Sequence, residues 1–478
     1  MLFNSLQFLI FFPLVLTAFF ALPHRLRWVL LLAASYYFYM CWKPEYALLM
    51  LGITFISYVC GRIMAGQTRP ARRLAVLYGG LAMLVAPLFF YKYLNFFSTQ
   101  VNAVLLQFNA LHGLPVFRFI LPVGISFYTF HTVSFLIDVY RGVAPPEKHF
   151  GIYALYVSFF PQLVAGPISR STQMLPQFRV ATAFDYDRIK HGLFLMAWGF
   201  FQKVVIADRL ALMVDFVYKD PTHQEGFALL VGTVFFAIQI FCDFAGYTDI
   251  AIGAMQIMGF SLPPNFKRPY LATSLSDFWK RWHMSLSSWF NDYIFTPLAI
   301  SRRDWGIWAT VFALVITFLI SGLWHGAGWN FILWGGLHGL GLGFEVLTRK
   351  PRKRLAALLP EPVPALAGWF LTFSYICFTN IFFRSNSFSD AWYIVTHIFS
   401  GGHLGLVMKL GVEKIETLIA LLAIAGLFAV HLVQERVVIK DWFGLRPAWQ
   451  RWGFYYAAAM LTVMLGRFGN QQFIYFQF

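Results

Sequence analysis

Apolar runs of 17 or more residues recur from one end of this 478-residue chain to the other, each long enough to cross the hydrocarbon core of a bilayer. Inside lipid every backbone N–H and C=O must find a partner within the protein, and continuous apolar runs meet that demand as helices. The expected spans are 6–22, 27–43, 45–64, 74–91, 117–139, 150–168, 187–206, 226–247, 305–323, 329–348, 362–383, 416–434 and 450–468. Charged residues make up only 12% of the chain, about half of what soluble domains carry, and mean hydropathy is +0.63. The expected fold class is therefore an all-α polytopic membrane protein, with 1–478 as a single transmembrane domain. The first run lacks a basic leader and a small-residue cleavage site, so it reads as a retained helix. Segments 94–112 and 384–412 are mixed in polarity and read as interfacial or loop.

The net charge of +16 would suggest nucleic acid in a soluble protein. Here the cations sit in short loops between apolar runs, where they act as topology signals and contacts to anionic membrane lipids, with no nucleic acid implied. The clusters at 25–27, 62–73, 349–354 and 436–451 are expected on the cytoplasmic side, which puts the N-terminus and the final FIYFQF outside. Between 170 and 300 the alternation fails, as in tilted, broken or re-entrant helices that line a cavity. The four cysteines, Cys41, Cys60, Cys242 and Cys377, are isolated, so neither a disulfide framework nor a zinc site is indicated, and no metal is expected.

Polar groups inside apolar sequence need partners. Asp243, Tyr247 and Asp249 should face the protein interior, and His131 and Asp138 read as helix-packing groups. Gly335, Gly339 and Gly343 repeat at every fourth residue, the pattern of a close helix crossing.

Two stretches carry candidate chemistry. In 274–293, SLSDFWKRWHMSLSSWFNDY, the apolar residues recur at helical spacing, Ser274 can cap the start, and Asp277 precedes Arg281 by four residues. His283 lies among its tryptophans. The plain alternative is an interfacial helix whose histidine is incidental. In 321–331, SGLWHGAGWNF, His325 is bracketed by Gly322, Gly326 and Gly328, which permit a break at membrane depth. In one continuous helix His338 would lie some 20 Å beyond His325 and on another face, so it reads as structural. No G-x-S-x-G elbow is present.

Taken with LPVGISFYTF, FPQLVAGPISR, DFAGYTDIAIG and PNFKRPY, these stretches resemble the membrane-bound O-acyltransferase (MBOAT) superfamily over essentially the whole chain. Within it the chain is most similar to bacterial alginate and exopolysaccharide O-acetyltransferases, and more distantly to the D-alanyl-transfer protein of teichoic acid modification. The resemblance implies a funnel of about 11–13 transmembrane helices plus re-entrant and interfacial helices. By position, His325 matches the family's catalytic histidine and His283 the second family residue, a His or Asn. The implied activity is an O-acetyltransferase of the bacterial inner membrane, taking acetyl from a cytoplasmic donor, acetyl-CoA, with no resident cofactor. A periplasmic SGNH-type acetyltransferase or acetyl carrier would pass the group to an exopolysaccharide and its synthesis machinery.

On this reading His325 is the general base. His283 orients the acyl group or its oxyanion, and Trp279, Trp282 and Trp324 shape an apolar slot. Lys280 and Arg281, with Lys267 and Arg268, form a basic rim for the anionic donor. One rival is a lipid or lysophospholipid O-acyltransferase acting without a soluble partner. The other is a transporter, suggested by broken helices and buried charges, but no internal repeat supports it.

Overall fold

In a computed structural model, residues 1–108, 113–117, 119–164, 166–437, 442, 444–469 and 473–474 are described. The described elements are all helical. Every expected apolar run contains helix, and six helices are long and apolar enough to span a membrane: Glu45–Gly66, Pro70–Gln107, Gly226–Ile257, Ile307–His325, Val363–Arg384 and Lys414–Gln434. Trp329–Leu347, bent by 66° into Arg349–Ala356, makes a seventh if that pair is one span. Among the described residues the other apolar runs form shorter, more polar or broken helices.

The chain divides into two compact units, 1–192 with 254–263, and 193–253 with 264–478. In the first, Ile125–Arg141 is buried along most of its length and carries His131 and Asp138 inward, as packing groups should. Three expectations change here. The 117–139 run is helical only from Ile125, after Gly124 takes a left-handed φ of 74°. The 150–168 run breaks at Phe159, and the Ser35 hydroxyl accepts from the Phe160 N–H at 3.0 Å. That bond supplies a partner for a backbone group the break would leave without one. Residues 94–107, expected as loop or interface, are helix continuing Pro70–Leu88 through a π turn; 109–112 lie outside the described residues.

The second unit holds both histidine stretches. Its buried charges are paired: Lys203 Nζ reaches Asp208 at 2.7 Å and Asp243 at 2.6 Å, and Gln202 donates to Asp249 at 2.8 Å. An unpaired ion at this depth would cost several kcal/mol. The second oxygen of Asp243 accepts from the Ile474 N–H at 2.7 Å. Of the final FIYFQF only Phe473 and Ile474 are described, so the side of the membrane expected for the rest lies outside the described residues.

Ile307–His325 and Trp329–Leu347 form an antiparallel hairpin that the glycines make possible. A Cβ on Gly335 would stand 2.1 Å from the Phe318 carbonyl oxygen, one on Gly322 2.2 Å from that of Phe331, and one on Gly339 2.8 Å from the Val315 Cα. These are backbone neighbours and cannot swing away. Gly336, one residue on, faces only a leucine methyl at 3.4 Å. Gly335→Ala should therefore lose most detergent-extractable, monodisperse protein, since overpacking typically costs about 1–3 kcal/mol and here meets backbone. Gly336→Ala should match or exceed the wild-type melting temperature, because alanine favours helix by about 1 kcal/mol. Equal thermal stability of the two variants would refute the close-crossing account.

Candidate active site

The 274–293 stretch is not one helix. Leu275–Trp279 is a short helix that Ser274 caps, accepting from the Asp277 N–H at 3.1 Å, while both carboxylate oxygens of Glu345 accept from the N–H groups of Leu275 and Ser276. The chain then turns, and His283 takes a left-handed conformation with φ 42° before Met284–Phe290 resumes. For a side chain this size such a conformation costs on the order of 1 kcal/mol and must be held by its surroundings. The holder is the 264–272 segment. Lys267 N–H donates to the Arg281 carbonyl at 2.9 Å, and Met284 N–H to the Asn265 carbonyl at 2.9 Å. The expected Asp277–Arg281 pair forms at 2.9 Å, although the helix ends before Arg281.

Asn265 also fixes the His283 proton. Its side-chain oxygen accepts from the Ser285 N–H at 3.2 Å and the Ser285 hydroxyl at 2.9 Å, and it lies 3.1 Å from His283 Nδ1. A backbone N–H can only donate, so the facing atom is the oxygen and Nδ1 carries the hydrogen. Nε2 is then the basic nitrogen. The ring is fully buried, edge-on to Phe244 at 4.6 Å, and burial pushes its pKa down to about 3. It is a neutral imidazole at any physiological pH.

His325 ends its helix, 4% exposed, against Trp324 at 4.7 Å, Trp334 at 5.0 Å and Phe383 at 5.3 Å. The helix does break after it, at Gly326–Gly328, and this corrects the expected separation from His338. Both rings line one cavity of about 20 Å³, together with Trp279 and Trp282, with Trp334 between them. His338 is nonetheless spoken for. Trp279 Nε1 can only donate, and does so to His338 Nδ1 at 3.4 Å; Nε2 therefore bears the hydrogen and donates to Thr379 at 3.1 Å. Both of its nitrogens are thus engaged within the protein.

Trp324 touches both candidate imidazoles, at 4.7 Å from His325 and 6.3 Å from His283. Beyond Trp279 lies a larger groove of about 450 Å³, walled by Leu286, Phe290, Phe295 and Phe318, with Lys280 at its exposed edge. Thr317 is 6% exposed there, and its hydroxyl has no partner among the described residues. The basic rim is smaller than expected. Arg281 is held by Asp277 and Glu435, and Arg268 pairs with Glu435 at 2.6 Å. Among the described residues no three His, Cys, Asp or Glu side chains converge as a metal cluster.

Residues 148–388, which include all of these groups, match the family model of MBOAT, the membrane-bound O-acyltransferase family. The chain belongs to this family. It is 36% identical over 408 residues to the Azotobacter vinelandii protein named "Probable alginate O-acetylase AlgI", covering 84% of this chain and 79% of that one. It is 34% identical over 390 residues to the peptidoglycan O-acetyltransferase of Helicobacter pylori, covering 76% and 71%. The teichoic acid D-alanyltransferase of Bacillus subtilis is 28% identical over 283 residues, covering 57% and 71%. As an MBOAT protein the chain is a multi-pass membrane acyltransferase, which sets the transporter reading aside.

Three polar residues of this MBOAT site went unassigned in the sequence: Asn265, Thr379 and Asn380. Asn265 had a visible signal, a lone amide inside PNFKRPY, but its partner lies 18 residues away across a turn that helical spacing does not foretell. Asn265→Leu should lower kcat about ten- to hundredfold with donor affinity unchanged, a loss typical of groups that orient an active imidazole. Asn265→Asp, which keeps the acceptor oxygen, should recover part of the rate. Single-turnover assays on purified protein would measure both; a wild-type rate in Asn265→Leu means the amide only packs.

Proposed function

We propose that this MBOAT protein moves an acetyl group from acetyl-CoA on the cytoplasmic face of the bacterial inner membrane towards an extracytoplasmic polysaccharide, through a periplasmic SGNH-type partner. The observation that carries the reading is the pair of buried imidazole side chains, His283 and His325, that both pack against Trp324. Two of the similar proteins bear names of polymer O-acetylation, of alginate and of peptidoglycan, which supports a hydroxyl on a polysaccharide as the final acceptor.

In this scheme the pantetheine arm lies along the groove, with Lys280 near a donor phosphate and the Thr317 hydroxyl free to bond an amide of the arm. The thioester reaches the small cavity beside His325. His325 takes the proton of the incoming hydroxyl as its oxygen attacks the carbonyl carbon; the C–S bond then breaks, and the proton passes to the departing thiolate. His283, whose Nε2 bears the lone pair, orients the reacting groups as a hydrogen-bond acceptor, since its one N–H is held by Asn265. The proton ends on sulfur, so no net acid is released and no cofactor is required. At about 20 Å³ the cavity has room for about one water, so it must widen even for a two-carbon acyl group and far more for a fatty chain.

His325→Ala should insert, fold and bind acetyl-CoA, yet transfer at least 10²-fold more slowly. His338→Ala should instead lower the melting temperature, because it strips partners from Trp279 and Thr379. Labelled acetyl transfer to a purified periplasmic partner, with protein level measured in parallel, tests both. Near-wild-type transfer by His325→Ala removes it as the base. A wild-type rate with a soluble hydroxyl acceptor and no partner removes the relay.

Lys280→Met should raise the donor KM several-fold and leave kcat within about twofold, with the wild-type advantage shrinking as salt rises. Arg281→Met should act on stability instead, through Asp277 and Glu435. An unchanged KM in Lys280→Met at low salt would take the donor phosphates away from this edge.

A further inference from the structure

A third cavity in the second unit, of about 430 Å³, shares no residue with the His325 cavity or the groove. Its wall is charged. Asp208 and Arg209 come from the first turn of Asp208–Lys219, Glu416 from that of Lys414–Gln434, and Arg467 from just beyond Ala448–Leu465. Glu416 is shared, with Arg209 Nε at 3.2 Å and Arg467 Nη2 at 2.8 Å. Arg209 Nη2 donates to the Leu465 carbonyl at 2.6 Å, and one oxygen of Asp208 takes Lys203. Among the described residues Arg209 Nη1 and Asp208 Oδ2, on side chains 4% and 3% exposed, have no hydrogen-bond partner, and Arg209 Nε meets Glu416 as an ion pair without an aligned hydrogen bond. Leaving such charged groups without partners is costly, and both residues line the same cavity. The rest of the wall is apolar, and Met464 and Phe468 are 68% and 64% exposed beside it. In a membrane protein such side chains face acyl chains.

We propose that this cavity binds the headgroup of a zwitterionic phospholipid, with its phosphate on Arg209, its ammonium N–H on Asp208, and its chains along Met464 and Phe468. A simple anion would leave Asp208 Oδ2 unanswered, and a free sugar gives no reason for the apolar rim. Both signs of charge beside a lipid-facing edge fit a headgroup that carries both. The unanswered acceptor needs a hydrogen to accept, so an ethanolamine headgroup fits and a choline headgroup, with no N–H, does not. The inference stands independently of the acyl-transfer chemistry.

The test uses the full-length protein, delipidated in detergent and titrated with phosphatidylethanolamine, phosphatidylcholine or phosphatidylglycerol of equal chain length. Native mass spectrometry counts bound lipid, and thermal unfolding gives an independent readout. Phosphatidylethanolamine should bind about tenfold tighter than phosphatidylcholine, the difference one charge-assisted hydrogen bond makes. Phosphatidylglycerol, whose hydroxyls donate more weakly, should fall between. Arg209→Gln and Asp208→Asn should each bring the two-lipid preference within about twofold. Should Arg209→Gln not fold, Asp208→Asn and the wild-type lipid comparison still decide. Equal binding of ethanolamine and choline lipids, attributable to annular lipid only, overturns the proposal. Free phosphoethanolamine binding as tightly as the lipid assigns the cavity to a soluble zwitterion and overturns it too.

Discussion

The close crossing of Ile307–His325 and Trp329–Leu347 is the constraint on which the rest of the second unit depends. Gly322 and Gly335 meet so closely that a Cβ on either would fall within about 3.2 Å of the other's Cα. Dispersion between two backbones at that range needs no hydrophobic effect, which is weak between helices already in lipid. From this hairpin everything else is hung. His325 closes its first helix, Trp334 and His338 lie on its second, and the Glu345 carboxylate caps the helix that carries Trp279. The Tyr375 hydroxyl donates to the Leu337 carbonyl at 2.7 Å, which ties Val363–Arg384 to the same second helix.

Once the hairpin is fixed, the site it builds is buried and aromatic, and burial determines its electrostatics. Burial opposes the charged form of imidazole, so His283 stays neutral far below its ordinary range, and its remaining hydrogen is assigned by a neighbour that can only accept. A neutral ring with one nitrogen tied to an amide offers a lone pair at the other without help from a carboxylate. Two buried carboxylates of this unit, Asp208 and Asp243, each give one oxygen to Lys203.

Much of this was legible in the sequence, and what escaped was local geometry. The membrane class, the helical runs, the close-packing role of Gly335, Gly339 and Gly343 and the need of Asp243 for a partner all followed from hydropathy, spacing and the cost of buried polarity. The 274–293 stretch read as one helix because its apolar residues repeat at helical steps. A stripe can be interrupted by a turn without losing that repeat, and nothing in the residue types announces a left-handed histidine. The same limit hid the nearness of His325 and His338: glycines permit a break, but whether the chain takes it is decided by Phe331 packing over Gly322 and Gly326. Lys203 lies inside the expected span 187–206, and spacing alone does not show that Asp208 and the distant Asp243 converge on it.

The position of Trp279 connects these points to chemistry. It is the one residue common to the small cavity beside His325 and the wide groove that carries Lys280. Its indole is therefore a wall shared by the open groove and the smaller, more enclosed cavity. That wall is braced from behind, since Nε1–H is held by His338, whose other nitrogen is held by Thr379, whose hydroxyl in turn donates to the Ile376 carbonyl at 3.0 Å. A thioester is stable beside water but not beside water and a general base together. In the proposed function, separating the two by a tethered aromatic ring would let a donor wait in the groove without meeting the base. On this view His338 matters to acyl transfer without touching a reacting atom: it sets how firmly the partition stands.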